Sequence, residues 1–147
     1  MRVLGIDLGE RRIGLAISDA SATLARPFRT LQRDRSDAAA VDALIAVLEE
    51  LDADDHVGCL VVGLPTRLDG SATAQTARVK KVVALLAART AVPIVMQDER
   101  LSSHEADQRL ATNERDWRKR KAKLDAAAAA VILQDYLDVQ KTAGSGE

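Results

Sequence analysis

Apolar and polar residues along this chain fall into short continuous runs and longer stripes, and the two patterns alternate. Val3 to Leu8 is apolar apart from Asp7 and ends at Gly9, which predicts a strand. Ile13 to Ser18 predicts a second strand, and the polar link Gly9-Glu10-Arg11-Arg12 makes the two a hairpin. Leu24 to Leu31 predicts a third, more exposed strand, with Pro27 placing it at an edge or a bulge. Beyond the polar residues 32–36, Val41, Leu44, Ile45, Leu48 and Leu51 recur at helical spacing behind Ser36 or Asp37 as cap. Val57 to Leu64 is a continuous apolar run, the pattern of a strand buried on both faces. Pro65 to Thr73 is loop by composition, and Val79, Val82, Val83 and Leu86 mark a second helix. Val92 to Gln97 predicts a fifth strand, followed by Asp98-Glu99-Arg100. Ser102-Ser103-His104-Glu105 has the form of a capping box that opens a helix. Residues 109–123 read as a basic connection, and a last helix is expected from Lys123 to Val139.

Hairpin strands followed by alternating helices and strands predict an α/β domain with a five-stranded mixed sheet flanked by helices. The 147 residues suffice for one such domain, expected over residues 1–140, with residues 141–147 as a disordered tail. Composition then narrows the function. A single cysteine, Cys59, excludes a disulfide framework and a Cys-rich zinc site, and His56 and His104 lack metal-ligand spacing. Phe28, Trp117 and Tyr136 are too few aromatics for a platform on which bases stack. The longest apolar run, Ala126 to Leu133, is far short of the roughly 20 residues that span a bilayer. The opening Met1 to Asp7 lacks the apolar stretch of an export signal, so no membrane role and a cytoplasmic location are expected.

Acids stand at three places suited to chemistry. Asp7 interrupts an apolar strand, and a carboxylate removed from water needs a partner or a cation. The ordinary alternative is a strand-end acid serving a turn. Asp98 and Glu99 follow the fifth strand, at the end where ligands gather in open α/β sheets. Adjacent strand residues point opposite ways, so at most one of them faces a site shared with Asp7. Asp125 opens the last helix on a stripe with Ala129, Ile132 and Tyr136, which puts it beside the sheet unless it simply serves the helix dipole. If the acids converge, their oxygen-only donor set points to Mg²⁺ or Mn²⁺, and two such ions suit phosphodiester hydrolysis.

Charge adds one clue. The chain carries net −1, yet residues 109–123 hold seven Lys/Arg against two acids, a net +5 that leaves −6 elsewhere. A phosphate backbone would be drawn to that segment, just ahead of Asp125, although basic runs are often only a solvated surface.

Four pieces in order resemble the YqgF (RuvX-like) family over residues 2–137. They are Gly5-Ile6-Asp7-Leu8-Gly9 with Arg11-Arg12-Ile13-Gly14 to Asp19, Val62-Gly63-Leu64-Pro65 with Gly70-Ser71, Asp98-Glu99-Arg100-Leu101-Ser102-Ser103, and Lys121 to Ala128. Glu10 stands where Lys is usual, and Ser102-Ser103 where Thr is frequent. The resemblance implies a ribonuclease H-like fold related to RuvC-type Holliday junction resolvases. It also implies a nuclease that matures the 5′ end of pre-16S rRNA.

By that resemblance Asp7, Glu99 and Asp125 are the catalytic and metal-holding acids, with Asp98 the lesser candidate for the fifth-strand position. Asp7 is expected to bridge two Mg²⁺ or Mn²⁺ ions with Glu99 and Asp125 on either side, leaving a 5′ phosphate and a 3′ hydroxyl. Arg12, Arg100, Arg118, Lys119, Arg120 and Lys121 are candidate contacts to nucleic acid, and the Pro65–Thr73 loop is another. The expected partners are pre-rRNA or branched DNA and a ribosomal particle, for a monomer or homodimer. The nearest rival is a resolvase of four-way DNA junctions, which calls for a two-fold dimer. A non-catalytic RNA- or ribosome-binding module is a second. An actin-like kinase shares the fold but needs two domains.

Overall fold

A computed structural model of the protein describes residues 1–33, 36–54, 56–66, 69–99 and 117–145, without the side chains of residues 53, 54, 117–124 and 142–145. The elements are β1 (Arg2–Leu8), β2 (Arg12–Ser18), β3 (Ala25–Gln32), α1 (Asp37–Asp54), β4 (Val57–Pro65), α2 (Ala74–Ala87), β5 (Ile94–Glu99) and α3 (Trp117–Ser145). The strands form one sheet in the order β3-β2-β1-β4-β5. The first three are antiparallel neighbours, while β4 and β5 run parallel to β1, so the sheet is mixed. The β1–β2 turn is closed by Gly9 N donating to Arg12 O at 3.0 Å. A Cβ on Gly9 would lie 2.7 Å from that same oxygen, so the turn requires glycine.

Residue parity divides the core. Leu4, Ile6 and Leu8 of β1 join Ile13, Leu15, Leu60 and Val62 on one face, packed against Val41, Leu44 and Val47 of α1 and Val79, Val82 and Leu86 of α2. Val3, Ala16 and Val61 face the other way, onto Ala129, Ile132, Leu133 and Leu137 of α3. Ser36 Oγ accepts from Ala39 N at 3.0 Å and caps α1, while Thr73 and Thr76 form a capping box at the start of α2. β3 is an edge strand whose register slips against β2 between Leu15 and Ala16, beside Pro27, so the proline meets both of its expected settings.

Two boundaries differ from the sequence pattern. β5 begins after Pro93 and takes in Asp98 and Glu99, because pairing with β4 continues through Leu64 and Pro65. The last helix starts at Trp117 rather than Lys123 and ends at Ser145 rather than Val139. Lys, Arg and Ala are strong helix formers, so residues 118–122 carry the helix ahead of its apolar stripe. The helix expected from Ser102 lies outside the described residues. No helix among the described residues is long and apolar enough to cross a membrane.

Candidate active site

Asp7 is the penultimate residue of β1, and parity puts it on the α3 face with Val3. Its partner across the hairpin is Gly14. A Cβ on Gly14 would collide with the backbone carbonyl of Asp125, so glycine is what lets α3 lie directly on β2 there. Gly5 serves the same approach further along, since its Cβ would sit 2.8 Å from the Cβ of Leu133. The helix supplies the matching small residues, with Ala126 and Ala129 both buried. Glycines on the strands and alanines on the helix thus bring Asp125 up to Asp7.

The two acids feel each other. Burial first, and then the charge of Asp125, push the Asp7 carboxyl from 3.8 up to about 6. Asp125 has a counter-ion of its own, because Arg12 Nε donates to its Oδ2 at 2.6 Å. Arg12 enters the site as a candidate phosphate contact, and the structure sets its guanidinium on a carboxylate. Arg33 braces the turn that follows Asp7, donating to Gly9 O at 2.9 Å and to Asp37 Oδ1 at 2.9 Å. Glu10 of the same turn pairs with Arg78 of α2 at 3.0 Å.

Glu99 and Asp98 end β5 on opposite faces. Glu99 pairs with Pro65 and shares parity with Val61, hence the α3 face of Asp7, and its Oε1 is buried. Asp98 pairs with Leu64 on the α1–α2 side, is exposed, and accepts a hydrogen bond from Thr66 Oγ1 at 2.5 Å. Among the described residues no group of three or more His, Cys, Asp or Glu stands close enough to hold a metal ion. Asp7 and Asp125 are therefore coupled, and Glu99 shares their face without closing on them.

Arg100 lies outside the described residues, as do the side chains of Arg118, Lys119, Arg120 and Lys121 in the first turns of α3. Sequence reasoning missed Gly14 as a determinant of the site. The available signal was a glycine opposite Asp7 inside an apolar strand, which marks a close approach by another backbone.

The profile of the RuvX family, described as Holliday junction resolvase, matches residues 1–139. A protein of Clavibacter michiganensis subsp. michiganensis, named "Putative pre-16S rRNA nuclease", is 41% identical over 142 residues, covering 97% of this chain and 86% of its own. One of the same name from Anaeromyxobacter sp. (strain Fw109-5) is 43% identical over 138 residues, covering 94% of this chain and 97% of its own. Among solved structures, Thermus thermophilus RuvC in complex with Holliday junction substrate superposes with a TM-score of 0.54 at 19% identity, covering 96% of both chains. The fowlpox virus Holliday junction resolvase gives 0.55 at 11% identity, covering 95% of this chain and 99% of its own. The structural likeness establishes the ribonuclease H-like fold that the resemblance implied, and the match along nearly the whole chain establishes that it belongs to the RuvX family.

Proposed function

We propose that this protein is a metal-dependent nuclease that hydrolyses nucleic-acid phosphodiester bonds, acting in the cytoplasm on the 5′ end of pre-16S rRNA. The observation that carries the reading is the coupled pair Asp7–Asp125, where burial and like charge hold a carboxyl at about 6. A protein that stores such a pair at the carboxyl end of its central strand is poised to receive a cation. The name its relatives carry supports rRNA as the substrate.

The donor set fits Mg²⁺ or Mn²⁺. Both ions take carboxylate oxygens, and Mg²⁺ is commonly held by one or two carboxylates with water and substrate phosphate completing its shell. Asp7 and Asp125 supply that pair, and Glu99, on the same face, is the third acid assigned to the site. A divalent cation bound there supplies a nucleophilic water at neutral pH and charge stabilisation for the leaving 3′ oxygen. Above pH 6 Asp7 is ionised and available as a ligand. Arg12, set beside Asp125, is placed to meet a phosphate at the same spot. Lys and Arg residues at 118–121 draw the backbone of the nucleic acid toward the start of α3. Cutting one RNA strand needs only a monomer, on free RNA or on a ribosomal particle.

The family's description as Holliday junction resolvase keeps a second substrate in view, a four-way DNA junction. One experiment separates them. Labelled RNA bearing a 16S 5′ precursor segment and a four-way DNA junction are each incubated with the protein in Mn²⁺, Mg²⁺ or EDTA, beside Asp7→Asn. Metal-dependent cutting of the RNA, lost in Asp7→Asn, is the expected result. Cutting of the junction alone transfers the assignment to DNA. Binding without cutting in both proteins makes the chain a binding module.

A further inference from the structure

We infer that Arg12 is a built-in counter-cation that competes with the metal for Asp125, so that metal and nucleic acid load the site together. The inference rests on the nuclease reading above and adds an order of events to it. Three observations lead there. Arg12 Nε holds Asp125 Oδ2 at 2.6 Å, a charge-assisted bond with both side chains about three-quarters covered, at 24% and 26% exposure. Asp125 is set over Gly14, whose cross-strand partner is Asp7, so the guanidinium neutralises one half of the cation-binding pair. The terminal nitrogens of Arg12 have no hydrogen-bond partner among the described residues, although a guanidinium is a five-donor fork suited to phosphate.

These facts set the direction of the coupling. Without nucleic acid, a cation that takes Asp125 must displace a fixed positive charge or sit beside it, and both weaken its binding. A phosphate that engages the terminal nitrogens draws the guanidinium from Asp125 and frees the carboxylate. By linkage a cation at Asp125 releases Arg12 and raises affinity for phosphate by the same factor. Free protein then holds metal weakly and cuts little that is not correctly seated. An arginine whose task is to orient Asp125 for the metal would act with the opposite sign, since its removal would lower metal affinity.

Two titrations decide. In the first, Mn²⁺ is titrated into protein without nucleic acid and free Mn²⁺ is read by electron paramagnetic resonance. Arg12→Gln is expected to bind Mn²⁺ about tenfold more tightly than wild type, within the ordinary range of coupling between sites. Arg12→Lys keeps the charge and stays within about twofold of wild type, which also serves should the glutamine variant fold poorly. In the second, a short fluorescein-labelled single-stranded RNA is titrated in EDTA with wild type, Arg12→Gln, Asp125→Asn and the double variant. Arg12→Gln is expected to weaken RNA binding at least about fivefold more in the Asp125→Asn background than in wild type, because only there is the guanidinium released. Equal weakening in both backgrounds, or Mn²⁺ affinity that falls in Arg12→Gln, overturns the exchange. When either overturning result comes with a wild type that binds Mn²⁺ and RNA and cuts RNA, only this inference fails and the nuclease reading stands. If wild type binds neither, the nuclease reading fails first and this one with it.

Discussion

Arg12 and Asp125 lie more than a hundred residues apart in the chain, yet a 2.6 Å ion pair joins the start of β2 to α3. The bond ties the hairpin that carries Asp7 to the helix that carries its partner acid. Arg12→Ala leaves Asp125 without its counter-ion beside another carboxylate. Removing one partner of a partly buried, charge-assisted pair costs about 1–3 kcal/mol. Urea unfolding at neutral pH, with metal chelated, should show that loss as a lower midpoint with an unchanged slope. A midpoint equal to wild type would mean that the pair contributes nothing to holding helix and hairpin together.

Asp7 carries a linkage between pH and stability whose sign is fixed by its raised pKa. Unfolded, the carboxyl titrates near 3.8; folded, it titrates near 6, so between those values the folded state binds more protons. Stability from this group therefore falls as pH rises from about 4 to 6, and above 6 the whole cost is present, about 3 kcal/mol at most. Asp7→Asn removes it. The variant should match wild type near pH 4, exceed it by about 2–3 kcal/mol at pH 7, and show no cutting of RNA. Unfolding curves of the two proteins across that range, without metal, test the difference directly. A variant less stable than wild type at pH 7 would falsify the assignment of a carboxylate destabilised by its surroundings.

The order and nature of the elements were legible because periodicity reports burial. The stripe on α1 enters the core, and the continuous run of β4 feeds both faces of the sheet, Leu60 and Val62 on one side and Val61 on the other. Boundaries were less legible where local propensity and burial disagree, as at Trp117, where good helix formers continue the helix beyond its apolar stripe. In the site, Asp7 announced itself as a charge inside an apolar strand. The pairing of Arg12 with Asp125 could not be read, because it depends on α3 crossing β2, a long-range contact that local pattern does not encode. The same holds for Gly14, whose role exists only once the Asp125 carbonyl is set above it.

Gly14 offers a test of that geometry. Its Cβ would run into backbone, which cannot swing aside as a side chain end can. Gly14→Ala must push α3 off β2, costing about 1–3 kcal/mol as overpacking does. It also parts Asp125 from Asp7, and a misplacement of about 1 Å in a catalytic group can lower the rate about a hundredfold. Gly58→Ala is the control, since the three atoms nearest its Cβ all belong to the flexible side chain of Met1, which can swing aside. Melting temperature and single-turnover cutting should both fall for Gly14→Ala and hold for Gly58→Ala. Equal effects would show that the glycines matter to the strand backbone and not to the seat of the helix.

The end of β5 separates two neighbouring acids by parity alone. Register sets Asp98 against Leu64 and Glu99 against Pro65, so their side chains leave the sheet on opposite faces. Only the Glu99 face carries Asp7 and α3. Asp98 instead accepts from Thr66 on an exposed strand end, where a lost hydrogen bond costs about 1 kcal/mol at most. Glu99→Gln keeps the shape of the side chain and removes its charge. It should lower metal-dependent cutting about a hundredfold or more, on the scale of removing a group that acts on the transition state. Asp98→Asn should stay within about threefold of wild type, since a surface change away from the chemistry shifts free energy by about 0.5 kcal/mol. The decisive comparison is the rate at saturating Mn²⁺ against the rate at limiting Mn²⁺. A ligand variant recovers part of its activity as Mn²⁺ is raised, and the Asp98 variant has nothing to recover. If Asp98→Asn shows the metal-dependent loss and Glu99→Gln does not, the strand presents its other face to the substrate and the site has to be rebuilt around Thr66 and Asp98.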